Sequence, residues 1–264
     1  QLLVGTAFKF SGCVNLKELN FYATDLGKIN FPNFNNELLE KLDLRLTNIK
    51  GGAPGVADVN QENVITDLTF KNATALRELR IDSANLGLGF PIEKNKIHEF
   101  AFTFNTNLEI IEIVSSGSLS GGISQLFSNN INLRSLDLRN NSFTGSPPNF
   151  LNNQNLTYVN LSSNQLNGII PSYSGAIREL YLQNNQLTQI NAPGTLASLT
   201  TYQAHNNAIA GDVPNFSGCQ SIRSITLNNN NFTGYSVGAF VSIHKVNYID
   251  LSFNNLSSTS LDSI

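Results

Sequence analysis

The chain has 264 residues, a formal net charge of −3 and only 13% charged residues, about half the usual share of a globular protein. Its polarity comes from Asn, Ser and Thr, and the mildly acidic balance excludes a binder of phosphate backbones, which needs a basic face. No apolar run approaches the ~20 residues of a membrane span, and the chain opens Gln1-Leu2-Leu3-Val4 without a basic leader or any Met, so it reads as a segment of a longer or processed protein.

Taken in chain order, one unit keeps returning. Leu16, Leu19, Phe21 and Leu26 make the first, with Thr24 between the last two. Leu39, Leu42, Leu44 and Ile49 follow, with Thr47. Leu76, Leu79, Ile81 and Leu86 make the third, with Ala84. Leu108, Ile111 and Ile113 begin a fourth, with Ser116 and one extra residue before Leu119. Steps of 37 and 32 residues flank the third unit. The expectation is a pair of insertions near 51–65 and 87–101, although Leu68 and Phe70 make a partial match.

The second half is regular. Leu133, Leu136, Leu138, Asn141 and Phe143 fit L-x-x-L-x-L-x-x-N-x-L, as do Leu156, Val159, Leu161, Asn164 and Leu166. Four more follow, with their Asn at 185, 207, 230 and 254, and these six units step by 21 to 24 residues. The L-x-L core predicts a short strand with side chains alternating in and out. The Asn offers both an amide donor and a carbonyl acceptor to backbone groups buried at the turn. Thr and Ser do part of this and Ala84 none, so the early turns are expected to be less regular.

Two further ladders keep the same register. Phe10, Phe70, Phe102, Phe127, Phe150, Phe216 and Phe240 each lie six residues before the first Leu, Ile or Val of a unit and predict an aromatic spine on the convex side. Cys13 and Cys219 both end the string Phe-Ser-Gly-Cys, eight units apart. Equivalent positions stack at ~4.8 Å per strand, or roughly 38 Å in total. A disulfide needs Cα atoms within ~7 Å. Two buried, unbridged thiols are expected.

Over essentially the whole length these residues resemble the leucine-rich-repeat superfamily. The segments Leu166-Asn167-Gly168-Ile169-Ile170-Pro171, Phe143-Thr144-Gly145-Ser146-Pro147-Pro148 and Ile209-Ala210-Gly211-Asp212-Val213-Pro214 are similar to the L-x-G-x-I-P signature of its plant-specific subtype. Pro214-Asn215-Phe216-Ser217-Gly218-Cys219 and Asn254-Asn255-Leu256-Ser257-Ser258-Thr259 look like repeat arrays of bacterial and marine bacteriophage surface proteins. The resemblance implies a horseshoe solenoid of about ten repeats in a single domain, 1–264. It implies a parallel β-sheet on the concave face, a second small sheet, an irregular or 3₁₀ convex face and little α-helix. Residues 1–9 read as a weak cap and Leu261-Asp262-Ser263-Ile264 as the beginning of a capping helix, and the chain is expected to continue at both ends.

On that fold, the positions flanking the strand hydrophobes face outward in columns. Units two to five alternate in sign: Lys41, Asp43, Arg45, Glu78, Arg80, Asp82, Glu112, Asp137, Arg139. Neighbouring strands let these pair across the sheet, giving a solvated, self-neutralised face. Units six to eight offer Tyr158, Asn160, Tyr181, Gln183, Gln203 and His205. Aromatic and amide groups on a concave surface suit protein or glycan recognition, though ordinary polar cover is the leading reading. The candidate ligand-binding set is therefore Tyr158, Asn160, Tyr181, Gln183, Gln203, His205, Arg45, Arg80 and Arg139.

Catalytic chemistry is missing from the pattern. His98, His205 and His244 fall in different units and column types, which argues against a zinc cluster, and no cofactor is expected. Ser242-Ile243-His244-Lys245 matches S-x-x-K without its companion motifs and reads as chance. The seven N-x-S/T sites, Asn160 among them, are what so Asn-rich a chain holds by chance. The expectation is a non-enzymatic recognition or adhesion module, extracellular or displayed on a virion or microbial surface, with a protein or glycan ligand or other subunits of a particle as partners. A receptor-type ectodomain and a structural spacer are the alternatives.

Overall fold

The computed structural model describes residues 13–23, 37–45, 63–65, 73–82, 95–97, 102–114, 119–173, 175–193 and 196–257. Each L-x-L core forms a short strand: β1 (Glu18–Asn20), β2 (Lys41–Leu44), β4 (Glu78–Asp82), β6 (Ile110–Val114), β8 (Ser135–Asp137), β10 (Tyr158–Asn160), β12 (Glu179–Tyr181), β14 (Thr201–Gln203), β16 (Ser224–Thr226) and β18 (Tyr248–Asp250). They join in that order as one ten-stranded parallel sheet. Template positions stand opposite one another without slip, as in Leu136↔Val159↔Leu180↔Tyr202↔Ile225↔Ile249.

A second layer runs along the other side of the core. Here β3 (Asn63–Ile65), β5 (Asn95–Ile97), β7 (Ser120–Gly122), β9 (Ser142–Gly145), β11 (Gln165–Ile170) and β13 (Gln186–Ile190) form a six-stranded sheet, while β15 (Ala210–Val213) pairs with β17 (Asn231–Tyr235). The segments 51–65 and 87–101, read from spacing as insertions, thus supply β3 and β5; the rest of both lies outside the described residues. Gly168 and Gly211 take φ of 78° and 92°, conformations costly for other residues. The pairing register shifts immediately after each of them. No α-helix occurs among the described residues, and the chain is a parallel β-solenoid.

Between the sheets lies an apolar core in which the inward-facing residues of the ten-stranded sheet, from Leu42 to Ile225, are at most 1% exposed. Each such burial contributes about 1.5–3 kcal/mol. The template Asn closes this core at its corner. Asn164 donates through Nδ2 to the carbonyl of Leu161 in its own repeat (3.1 Å) and of Leu138 in the preceding one (2.9 Å), and its Oδ1 accepts from Phe143 N–H (3.0 Å). Asn185, Asn207, Asn230 and Asn254 repeat the same three bonds. The residue just before the Asn takes a left-handed conformation, with φ of 53–59° at Asn140, Ser163, Asn184, Asn206, Asn229 and Phe253. Asn tolerates that region better than most side chains, which accounts for the Asn-Asn pairs of the sequence. Thr47, Ala84 and Ser116, where weaker turns are expected, lie outside the described residues, as does Thr24.

A second asparagine ladder escaped the template. Asn105, Asn130 and Asn153 lie three residues before the first Leu of their units and are buried. Asn130 Nδ2 reaches the carbonyls of Phe102 (3.1 Å) and Asn105 (2.8 Å), and Asn153 Nδ2 those of Phe127 (3.1 Å) and Asn130 (2.7 Å). Cys219 occupies the same position in its repeat, which is why it is buried. Phe102, Phe127, Phe150 and Phe216 form the expected buried spine. Phe102 stacks on Phe127 at 6.1 Å and Phe216 on Phe240 at 6.3 Å, while Tyr173 supplies the ring beside Phe150. Phe10 and Phe70 lie outside the described residues.

The expectation of two buried thiols needs correction. Neither cysteine is in a disulfide, but Cys13 is exposed. It precedes β1, the edge strand of the sheet among the described residues, where Leu16, Leu19 and Phe21 are themselves only partly buried. At the other edge, Tyr248 and Ile249 of β18 are 52% and 38% exposed.

Two outcomes test this account. Asn164→Ala strands several backbone groups in the core and is expected to cost about 2–4 kcal/mol in a urea titration. Asn184→Ala, exposed on the adjacent turn, should cost less, about 1 kcal/mol, for an alanine held in the left-handed region. Burial pushes the Cys219 thiol up to about 11. A native-state titration with an aromatic disulfide reagent should therefore modify Cys13 quickly and Cys219 only after unfolding; equal rates would refute the buried placement.

Candidate ligand-binding face

The concave sheet divides into two halves with different chemistry. In the first, charges neutralise one another. Arg45 holds Asp43 through Nε (3.0 Å) and Nη2 (2.7 Å) and reaches Glu112 at 3.5 Å. Its guanidinium also lies 5.5 Å from the Tyr22 ring centre. Arg80 bonds Glu112 and stands 3.8 Å from Glu78, and Lys41 bridges Glu18 (3.2 Å) and Glu78 (3.6 Å). Arg139 pairs with Asp137 at 3.6 Å. Desolvation raises the Asp43 carboxyl, but the hydrogen bonds and charge of Arg45 outweigh it and hold Asp43 below the usual range. All three candidate arginines, Arg45, Arg80 and Arg139, are thus engaged within the sheet.

The central column contains a structural device. At Asn20, Asp43, Asp137, Asn160 and Asp250 the side-chain Oδ1 accepts the backbone N–H two residues on, at 2.8–3.2 Å. This turn closes the strand end. Asn160 belongs to that set. It is 5% exposed, its Oδ1 also accepts from Ser162 Oγ (2.7 Å), and its amide donates to Tyr158 Oη (3.2 Å). Its role is to position Tyr158 and close a turn, and its N-x-S motif is closed to a bulky glycan.

Beyond Asn160 the device is replaced by Tyr181, Gln203 and Thr226, which stand in register on β12, β14 and β16. Tyr181 packs on Tyr158 with ring centres 5.7 Å apart and donates its hydroxyl to Glu179 Oε2 at 2.7 Å. In the next column Gln183 and His205 are neighbours, since Asn184 N–H bonds the His205 carbonyl. Gln183 Oε1, His205 Nδ1 and Thr226 Oγ1 are buried atoms without a hydrogen-bond partner. Burial lowers the proton affinity of His205, against the opposing charge of Asp250. Four of the six candidates in this half, Tyr181, Gln183, Gln203 and His205, therefore stand on neighbouring repeats beside or among these atoms. Tyr158 packs beside Tyr181. Sequence reasoning missed Thr226, whose column was read but whose burial was not.

One more group lies beside this face. Arg178, Ser198, Thr200, Ser221, Arg223 and Lys245 line a cleft of about 250 Å³. Arg178, Thr200 and Arg223 lie one position before the four columns read from the sequence.

A repetitive parallel solenoid with a ladder of buried asparagines defines the class of leucine-rich-repeat proteins. Family models agree: residues 63–210 match the BspA type leucine rich repeat region and residues 204–256 the leucine rich repeat. The chain belongs to the leucine-rich-repeat family. Solved structures of similar fold include the ectodomain of the Arabidopsis thaliana receptor kinase GASSHO1/SCHENGEN3 in complex with Casparian strip integrity factor 2. It is 25% identical with a TM-score of 0.69, over 90% of this chain and 27% of that one. The PEPR1–AtPEP1 structure is 23% identical with a TM-score of 0.72, over 94% and 33%. A leucine-rich-repeat protein of Leptospira interrogans, LIC12759, is 16% identical with a TM-score of 0.56, over 94% and 69%. The chain spans a third or less of the two plant structures' length. Among curated proteins none matches.

A lowered folded-state proton affinity at His205 has a definite sign. Its contribution is fully retained above the unfolded value of about 6.5 and is lost as pH falls below it. Half exposure keeps the effect small. The melting temperature of the parent should drop by about 1–2 °C more than that of His205→Gln between pH 7.5 and 5, followed by calorimetry; parallel profiles would show that His205 is not desolvated.

Proposed function

We propose that this chain is a non-enzymatic recognition module whose concave face, across repeats six to nine, binds a protein or glycan ligand. The observation that carries it is the trio Gln183 Oε1, His205 Nδ1 and Thr226 Oγ1, set beside the Tyr158–Tyr181 pair. Buried polar atoms without partners are uncommon and call for one, and adjoining aromatic rings supply contact area at little entropic cost. The charged half, already paired within itself, supports selectivity more than affinity. The repeats are of the L-x-G-x-I-P subtype, and the module is displayed at a virion or microbial surface, a reading supported by the BspA type family match. A receptor-type ectodomain that binds a peptide is the second reading, supported by the likeness to the plant receptor ectodomain with its bound factor.

The test begins with binding of the labelled chain to glycan arrays and to cell surfaces. The hits are then titrated against Tyr158→Ala/Tyr181→Ala/His205→Ala. At least about a tenfold loss of affinity is expected, with an unchanged circular dichroism spectrum. Full affinity in the triple variant would rule out this site, and absence of any hit would favour a spacer.

A further inference from the structure

The column immediately before the strands carries Lys17, Glu40, Arg77, Glu109 and Arg134 in the first half of the chain. Its signs alternate, and neighbouring members pair: Lys17–Glu40 at 2.9 Å, Arg77–Glu109 at 3.5 Å and Arg134–Glu109 at 3.7 Å. After Arg134 the acids stop. The column continues as Thr157, Arg178, Thr200, Arg223 and Asn247, and hydroxyls stand where carboxylates stood. Backbone bonds hold this part as firmly as the rest: Thr200 N–H to the Arg178 carbonyl (2.7 Å), Arg223 N–H to that of Thr200 (2.9 Å) and Asn247 N–H to that of Arg223 (2.9 Å). Thr200 Oγ1 adds a bond to the Arg178 carbonyl at 2.9 Å. Arg178, Arg223 and Lys245 are exposed and make no ion pair among the described residues. All three converge on the one cleft of about 250 Å³, with Ser198, Thr200 and Ser221 completing its walls.

We infer that this cleft is a binding site for an anionic glycan, with Arg178, Arg223 and Lys245 holding its sulfate or carboxylate groups. Three unpaired cations within one cleft repel one another, and an anion relieves that repulsion. Guanidinium forks match the geometry of such oxyanions, and the ammonium supplies a mobile point charge. The three hydroxyls can donate to and accept from sugar hydroxyls. Among the described residues no aromatic or large apolar side chain lines the cleft. It therefore lacks the anchors that dominate protein interfaces and the stacking platforms that hold single-stranded nucleic acid. A ligand that is polar, hydroxylated and charged fits what remains. The site lies at the margin of the concave face and deepens the recognition reading; it rests on the chain being a binding module.

The experiment titrates the chain with a heparin-derived hexasaccharide by calorimetry. Unsulfated dextran, hexaglutamate and a thymidine hexanucleotide of matched length serve as comparisons. The sulfated hexasaccharide is expected to bind at least about tenfold more tightly than any of these. Affinity should fall several-fold as salt rises from about 50 to 200 mM. Arg178→Ala/Arg223→Ala should lose about tenfold or more, while Lys17→Ala, a cation elsewhere in the same column, should change affinity by less than about twofold. All three substitutions lie on exposed side chains, and circular dichroism checks the fold. Binding of hexaglutamate or the oligonucleotide as tight as that of the hexasaccharide would overturn the glycan assignment, as would an unaffected double variant. The triple variant Tyr158→Ala/Tyr181→Ala/His205→Ala separates the two sites. Retention of hexasaccharide binding in it supports the edge cleft, whatever becomes of the concave site. Loss in the triple variant but not in the arginine double would place the glycan on the concave face and refute this inference.

Discussion

A strand of three residues followed by a sharp turn leaves backbone carbonyls and amides pointing into an apolar core, with no water to meet them. Each would cost about 1–3 kcal/mol if left unmet. The amide of one asparagine per repeat satisfies these groups in its own repeat and in the one before it, as Asn164 does for Leu161, Leu138 and Phe143. Because the same side chain spans two repeats, it fixes their relative register as well as the shape of the corner. The left-handed residue before it, the stacking of strand leucines and the start of the second sheet follow from that corner. The Asn105–Asn130–Asn153 ladder ties each repeat to carbonyls of the one before, and Cys219 shows what happens when the side chain is replaced by a small apolar one. The repeat remains packed, with the Cys219 N–H bonded to the Phe216 carbonyl at 2.7 Å.

Fixed register turns the outer face into columns, so that function becomes a matter of what each column carries along the stack. The central column is largely spent on structure, because Asn20, Asp43, Asp137, Asn160 and Asp250 close their own strand ends. The early repeats then consume their charges in pairs. Where both habits lapse together, at Tyr181, Gln203 and Thr226 and along the Arg178–Thr200–Arg223 edge, polar groups remain with capacity to spare. The two candidate sites overlap on repeats seven to nine for that reason. They differ in chemistry. The concave group combines buried neutral polar atoms with a pair of aromatic rings, whereas the edge cleft is cationic and exposed.

Much of the fold was legible in the one-dimensional pattern. The spacing of Leu133, Leu136, Leu138 and Asn141 and its repetition require a stacked parallel sheet, since no other arrangement buries every such set alike. The ten L-x-L cores became ten strands. The resemblance to the leucine-rich-repeat superfamily implied the second sheet, and L-x-G glycines mark where its register shifts. Less was legible where a residue's job depends on its neighbours. The Phe-x-x-Asn ladder is visible in sequence once Asn105, Asn130 and Asn153 are aligned with Cys219, but the leucine template drew attention elsewhere.

By itself, then, the sequence determined the architecture, because apolar periodicity and a turn asparagine act locally and repeat identically. It also determined which residues share a column and the self-neutralising character of the first half. Only the tertiary structure decided which of those residues are available to a partner. Asn160 looked outward and is turned into a strand-end lock; Cys13 matched Cys219 letter for letter and lies exposed just before β1. Arg178 and Arg223 were ordinary positions of the template until the ladder brought them and Lys245 to one cleft without a carboxylate. Availability depends on burial and on the charges of adjacent repeats, residues some 20 to 45 positions away in the chain, and that is information a single repeat does not contain.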